Sequence, residues 1–321
     1  MRVLVIGGAG FIGGHLIQKI LADSKVKNID IVDNFSRAKK DSFFKKILLN
    51  KKITLIKENI ITMNVNKLTY KKYDLIFQFA AILGVSNVMK YPLKVLQENF
   101  EMMKKSIDLA KNQKKLKKII FLSTSEVYAG ALENFKIKFP TPETSPLALT
   151  NLSNSRTSYM LSKIYCEAMC IHSGLPYLIL RPHNIYGPRM GFSHVIPELL
   201  KKIEKIPKKK YLNLNSYNHK RAFCFVDDAI SQIYSVTKSK IVNQTFNIGN
   251  STEEISMHNL CKKILKISSR KDIVIKKKFI KNFSPVRRLP DMRNLFKHIK
   301  KIKFTKLEVG IKKTFEWYER N

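Results

Sequence analysis

An apolar run at 3–6 breaks directly into Gly7-Gly8-Ala9-Gly10-Phe11-Ile12-Gly13. Few folds accept so many glycines straight after a buried strand. A strand that turns sharply into a helix needs residues without a Cβ where backbone passes close to backbone. His15, Leu16, Ile20 and Leu21 then recur at helical spacing. The start of that helix offers unpaired N–H groups and a positive dipole end, which together suit a pyrophosphate. The glycines stand at Gly7, Gly10 and Gly13, a Gly-x-x-Gly-x-x-Gly spacing rather than Gly-x-Gly-x-x-Gly. A second strand over 29–32 ends at Asp33-Asn34. An acidic side chain there accepts hydrogen bonds from an adenosine ribose and repels a 2′-phosphate, so the pattern points to NAD rather than NADP.

Strand and helix patterns then alternate. Apolar strands are expected at 53–56, 75–79, 118–122 and 177–180, with an amphipathic helix from Pro92 to Lys111. That order predicts an α/β fold with a Rossmann-type doubly wound parallel sheet. Polar residues cluster past the strand ends, where such sheets hold ligands. After Arg181 the alternation loosens. We expect the NAD-binding domain over 1–180, with returns to its sheet near 222–226 and 245–248. A smaller mixed α/β substrate domain is expected over 181–321. The stretch 129–154, with Pro140, Pro142 and Pro146, reads as an ordered loop over the site.

Tyr159 and Lys163 lie four residues apart in a stretch that reads as a helix over about 157–173, so they share a face. A phenol beside an ammonium loses its proton more readily, which makes Tyr159 a candidate base toward an alcohol. Alone, the same pair describes a packed tyrosine beside a surface lysine. Thr124 stands just past the strand at 118–122 and could orient an alkoxide without adding charge. The alternative is a turn hydroxyl bonded to backbone.

Composition narrows the class further. Hydrophobic residues make up 44% of the 321, which suits a globular chain rather than a disordered one. No apolar run is long enough to cross a membrane, and the N-terminus lacks a signal-peptide layout. Cys166, Cys170, Cys224 and Cys261 form no Cys-x-x-Cys pair, so neither a zinc knuckle nor a disulfide framework is expected. The expected compartment is the cytoplasm. The formal net charge of +36 favours anionic partners. Only 11 of the 60 basic residues are Arg, and the lysines run from end to end with no basic arm. We read this as compositional bias on solvated faces, not as a nucleic-acid site.

In sum the chain resembles the extended short-chain dehydrogenase/reductase family, and within it the nucleotide-sugar epimerases, dehydratases and decarboxylases. The resemblance runs nearly end to end. It is carried by the glycine turn, Asp33-Asn34, Ala80-Ala81, Asn99, Ser123-Thr124-Ser125-Glu126-Val127-Tyr128 and Tyr159-x-x-x-Lys163. It continues through Arg181-Pro182-His183-Asn184-x-Tyr186-Gly187-Pro188-Arg189, Arg221 and Arg287-Arg288-x-Pro290-Asp291.

The resemblance implies NAD as cofactor, held by Gly7, Gly10, Phe11, Ile12, Gly13, Asp33, Asn34, Asn59, Ile60, Ala80, Ala81, Asn99, Tyr159, Lys163 and Pro182. It implies that Tyr159 takes the proton of a sugar C4 hydroxyl and that Thr124 bonds the reacting oxygen. Lys163 would hold the nicotinamide ribose and lower the tyrosine's pKa. Ser125, Arg156, Asn184, Arg189, Arg221 and Arg288 are implied on the side of a nucleotide-diphosphate sugar, with Arg189 alternatively pairing with an acidic neighbour. Glu126 departs from members that only invert C4, which often carry a small or hydroxyl residue there. A carboxylate near C5 can act as base or acid once C4 is a ketone. The 4,6-dehydratases and the uronate decarboxylases often carry it, and Arg156 and the long loop before it look more like the latter; Arg288 matches the cation those enzymes need for the uronate carboxylate, or equally the arginine that contacts the pyrophosphate or ribose in epimerases.

The single expectation for the reaction is 4-epimerisation of an NDP-hexose. Decarboxylation of an NDP-uronate, 4,6-dehydration and C4 dehydrogenation stand as alternatives. A non-catalytic NAD- or RNA-binding protein would need no combination of Thr124, Tyr159 and Lys163. Family members often dimerise through helices equivalent to 92–111 and the one carrying Tyr159, so a homodimer is implied. Neither His183 nor His194 has a second ligand at metal spacing, so no metal site is expected. Trp317-Tyr318 reads as an anchor for the last helix.

Overall fold

The computed structural model describes residues 1–192, 194–207, 210–278 and 285–320. Strand β1 (Arg2–Ile6) sets the layering, because its residues from Val3 to Ile6 are fully buried. A strand buried on both faces needs cover on both. The chain supplies it by running through α1 (Phe11–Leu21), β2 (Asn28–Val32), α2 (Ser42–Leu48), β3 (Ile53–Ile56), β4 (Leu75–Gln78), α3 (Val85–Lys90) and α4 (Pro92–Lys111). It continues with β5 (Lys118–Leu122), α5 (Ala129–Asn134), α6 (Ser155–Ile171), β6 (Tyr177–Pro182), β7 (Ile185–Tyr186), α7 (Val195–Lys205), β8 (Tyr211–Leu214), β9 (Lys220–Ala222), β10 (Cys224–Phe225), α8 (Val226–Lys238) and β11 (Gln244–Ile248). Last come β12 (Glu254–Ser256), α9 (Met257–Ile267), β13 (Val274–Lys277), β14 (Arg287–Arg288), α10 (Arg293–Phe296) and α11 (Leu307–Arg320).

Seven strands form one sheet in the order β11-β6-β5-β4-β1-β2-β3, and every pairing in it is parallel. The direction of progression reverses beside β1, between β2 and β4. Ligands bind at such a reversal, outside the carboxyl ends of the strands. On one face Val3 and Val5 pack in a core with Leu16, Ile17 and Ile20 of α1 and Ile230 and Ile233 of α8. On the other, Leu4 and Ile6 share a core with Met102, Met103 and Ile107 of α4 and Cys166 and Cys170 of α6. Each such aliphatic side chain contributes ~1.5–3 kcal/mol by leaving water. Among the described residues, no helix is long and apolar enough to cross a membrane.

Two expectations need correction. The stretch near 222–226 does not return to the main sheet. There β10 pairs with β7 in a ladder of its own, and β9 lies between β12 and β14. The stretch 129–154 is also not a loop throughout, since α5 opens it. Gly130 makes this possible: a Cβ there would lie 1.9 Å from the Ala148 carbonyl oxygen, so the later loop rests directly on α5.

Candidate active site

The glycine turn closes by backbone contact. Gly7 sits at φ +82, and a Cβ there would come within 2.5 Å of the Ala80 nitrogen. One on Gly13 would meet the Gly7 oxygen, also at 2.5 Å. Asp33 accepts from the backbone N–H of Ala9 at 2.9 Å and of Phe35 at 2.8 Å. Burial pushes its carboxyl up and those two bonds pull it down. Asn34 accepts from Ser36 N–H, and Asn59 from Ile61 N–H. Together with Phe11, Ile12, Ile60, Ala80, Ala81 and Pro182 these residues line one cleft of about 1150 Å³. The turn brings backbone without side chains to a helix start, with a carboxylate at the end of the next strand. This fits a dinucleotide.

Three residues expected in contact with ligand are committed to protein partners instead, Asn99, Arg189 and, beside Glu126, Arg221. Asn99 does not line the cleft. It is buried, pairs with both backbone groups of Ile82, and donates to the Ser162 hydroxyl at 3.0 Å. It therefore fixes the loop after β4 against α6. Arg189 borders the cleft but takes its second expected option, an acidic neighbour. Its guanidinium pairs with Asp41 at 2.7 Å and donates to the carbonyls of Ala9 and Gly10 at 3.1 and 3.3 Å. It props the glycine turn from beneath rather than reaching toward a substrate diphosphate.

At the far end of the cleft stand Thr124, Tyr159 and Lys163. Thr124 caps the 3-10 turn Ser125–Tyr128 by accepting from Glu126 N–H, and its hydroxyl stands close enough to the Tyr159 phenol to pull the phenol's pKa down. Ser125 lies buried beside it on the cleft wall. Burial pushes the phenol above its ordinary pKa and the Glu126 carboxylate adds to this, while Thr124 and Arg37 pull it down. The expected lowering by Lys163 is thus not what governs Tyr159 here. Burial brings the Lys163 ammonium down to about 8. Its Nζ donates to the Leu122 carbonyl at 2.8 Å and lies 6.0 Å from the Tyr159 ring centre.

Glu126 faces three guanidinium groups. Arg288 grips both of its oxygens, at 2.8 and 2.9 Å, and Arg156 stands 3.6 Å away. Burial alone would raise this carboxyl. Arg288 first, then Arg156 and Arg221, more than offset that and hold it at about 2. Arg221 does not border the cleft, and donates to the carbonyls of Lys220, Pro285 and Val286. Burial and the Arg288 charge press its pKa down. Two guanidiniums, Arg288 and Arg156, on one carboxylate leave an excess of positive charge that a further anion would relieve. Asn184, at φ 42, donates to the Ala222 carbonyl and borders the same region.

Behind the site lies a buried polar network that sequence reading did not anticipate. Glu167, one turn after Lys163 on α6, pairs with Arg181 of β6 at 2.6 and 2.9 Å and accepts from the Ser123 hydroxyl. Arg181 also donates to the Tyr128 hydroxyl, which donates to Asn247 of β11. Asn247 in turn meets His183 at 3.0 Å. Arg37, His194, Trp317 and Tyr318 also border the cleft without having been assigned there. Arg37 follows the left-handed Phe35 (φ 58) and lies close enough to Tyr159 and His194 to act on their charge. Nothing periodic in the sequence marks such a loop cation.

Comparison with known proteins agrees with this geometry. A UDP-N-acetyl-alpha-D-glucosaminuronate decarboxylase of Bacillus cytotoxicus is 29% identical over 328 residues, spanning 99% of this chain and 97% of its own. An uncharacterized UDP-glucose epimerase of Bacillus subtilis is 29% identical over 278 residues, 84% of this chain and 83% of its own. The fold superposes on a UDP-glucuronic acid 4-epimerase from Bacillus cereus in complex with NAD, with a TM-score of 0.83 at 23% identity and coverage of 100% and 99%. A dTDP-glucose 4,6-dehydratase from Streptomyces venezuelae with NAD bound gives 0.84 at 21% identity, covering 100% and 98%. Residues 3–249, from the first strand to the end of β11, match the NAD dependent epimerase/dehydratase family, and the chain belongs to it as an NAD-dependent enzyme.

Proposed function

We propose that the chain oxidises C4 of a nucleotide-diphosphate uronate and releases its carboxylate as carbon dioxide. The observation that carries this is Glu126 held by Arg288 and Arg156 near Tyr159. The full-length likeness to a decarboxylase of a nucleotide-linked uronate supports it. Bound NAD supplies reversible hydride acceptance at C4. Tyr159 takes the hydroxyl proton, and Thr124 donates to the oxygen that becomes the ketone. Lys163, as a cation, lowers the cost of the tyrosinate. Ser125 and Asn184 border the sugar side of the cleft, with Arg221 behind them.

A substrate carboxylate competes with Glu126 for Arg288. Glu126 then loses its main counter-charge, its pKa climbs, and it becomes able to deliver a proton to C5 after the carbon–carbon bond breaks. The electrons of that bond pass into the enolate of the C4 ketone, and reduction of C4 completes the turnover.

The earlier expectation, 4-epimerisation, stands as the second reading. It is favoured by the grip of Arg288 on both Glu126 oxygens, because a carboxylate so held moves no proton and leaves only C4 chemistry. Incubation with UDP-, GDP-, dTDP- and CDP-uronates followed by mass spectrometry separates the two. A product lighter by one carbon dioxide supports decarboxylation. An isomer of unchanged mass sinks it in favour of the epimerase, and loss of water points to a dehydratase.

We further infer a homodimer through α4 and α6. Both helices expose apolar side chains, Leu93 (64%) on α4 and Tyr165 (53%) and Ile171 (45%) on α6, and the adjoining α3 exposes Met89 (51%). A reducing cytoplasm suits the four buried thiols.

A further inference from the structure

Asn247, near the end of β11, is fully buried behind the site and does not border the cleft. All four hydrogen-bonding positions of its carboxamide are taken. Nδ2 donates to the carbonyls of Thr141 at 3.0 Å and Asp291 at 3.2 Å. Oδ1 accepts from the Tyr128 hydroxyl at 3.0 Å and stands 3.0 Å from His183 Nε2. The two carbonyls fix which way the amide faces, so His183 Nε2 carries a proton and donates it. Burial drives the His183 pKa down to about 3, which keeps the ring neutral. Asp in this place would offer no donor, and Gln is one methylene longer.

The partners of Asn247 lead to the two halves of one ion pair. Tyr128 closes the turn that starts at Ser125 and carries Glu126. Asp291 follows Arg288 by three residues. Thr141 is bonded to the stretch between them, donating to the Leu289 carbonyl at 2.8 Å and accepting from Asp291 N–H at 2.9 Å. A Cβ on Gly249 would lie 3.1 Å from both Pro290 Cγ and His183 Cβ, so this stretch is pressed against the end of β6. One amide thus braces Glu126 and Arg288 against each other, although they stand 162 residues apart in the chain. Arg288 is not placed by satisfying its own donors, since its Nε is buried without a partner among the described residues. A frame that holds a guanidinium with an unmet N–H imposes its position. A substrate carboxylate that displaces Glu126 meets Arg288 where that frame leaves it, and two-pronged pairing tolerates little displacement.

We propose that Asn247 is a positioning residue for Arg288, and that its amide thereby sets the preference of the site for a uronate over the uncharged hexose. This rests on the uronate reading above.

The full-length protein with NAD bound is titrated calorimetrically with the UDP-, GDP-, dTDP- and CDP-linked forms of glucuronate and of glucose, in a Tyr159→Phe background that suppresses turnover. One glucuronate is expected to bind more tightly than its matching glucose. Asn247→Ser is expected to reduce that ratio about tenfold, with the glucose nucleotide and NAD affinities unmoved. An unchanged ratio overturns the proposal, whether both sugars weaken together, as in a merely structural loss, or neither does. No binding, or no preference for any glucuronate before Asn247 is changed, sinks the uronate reading instead. Urea unfolding then decides the positioning role without ligand. Glu126→Gln is expected to cost less stability beside Asn247→Ser than alone, and an equal cost overturns the role. If Asn247→Ser no longer holds NAD, His183→Phe, which removes one bond to the same amide, takes its place with an expected drop of about threefold.

Discussion

The phenol expected to take a proton is held where burial keeps it protonated, and the neighbouring Glu126 carboxylate reinforces that. The base must therefore be made by cations acting at the moment of reaction, with Lys163 and Arg37 as the groups within reach. Tyr159→Phe is expected to lower turnover by roughly 10²–10⁴-fold while NAD remains bound, measured by single-turnover kinetics and calorimetry. Glu126 has the opposite bias. Its folded pKa of about 2 lies below the ordinary carboxylate value, so the pairing contributes stability that is fully present above that ordinary value, about 4.3. It is lost as pH falls through the folded value. The stability difference between wild type and Glu126→Gln should be constant above about pH 5 and shrink toward pH 2, as denaturant midpoints across that range will show. A difference that persists undiminished at the acid end rules out the ion pair as its source. Tyr159 and Lys163 were legible as a pair because a spacing of four sets them on one helix face, and Glu126 stood out through the family resemblance; all three line the cleft. The partner of Arg189 was not, because a left-handed backbone (φ 68) and a contact with Asp41 far back in the chain decide it.

Helix α6 carries Tyr159 and Lys163 toward the cleft and Glu167 into the network behind. Asn154 caps it by accepting from Arg156 N–H at 3.0 Å, which explains a start slightly earlier than its apolar spacing suggests. The bounds of α4 were plain from the sequence, since Pro92 stands in its first turn where a missing N–H costs nothing. The role of Glu167 was not, because only the sheet order brings Arg181 of β6 against it. Breaking this pair leaves a buried guanidinium uncompensated. Glu167→Gln is expected to destabilise by ~3–5 kcal/mol, read from urea unfolding. It should also reduce turnover through the displaced helix. Asn99→Ala, which frees the loop after β4, is expected to cost ~1–3 kcal/mol and to weaken NAD binding, although Asn99 does not border the cleft. Isothermal titration of the variant with NAD checks the second part.

At the scale of the whole molecule, the doubly wound sheet and its ligand-binding edge were readable from strand order alone. The region beyond β6 was less so, because short strands such as β7, β9 and β10 carry too few residues for a period to show. Compositional bias as it is, a charge of +36 would still attract an anionic substrate from a distance, and salt would screen that attraction. Raising ionic strength should therefore increase the KM for the sugar nucleotide while kcat changes little, as steady-state kinetics at several salt concentrations will test. A kcat that falls with salt as steeply as KM rises would instead place the charge effect in the chemical step.

Helices α4 and α6 use their inner faces to seat Asn99, Tyr159 and Lys163 and leave Leu93, Tyr165 and Ile171 on the outside. If those outer residues meet a second copy, Tyr159 is braced by a neighbour it never touches. Such an enzyme keeps its activity per molecule only while it is concentrated enough to stay paired. On serial dilution its specific activity should fall along the same curve as its dissociation, and recover on reconcentration.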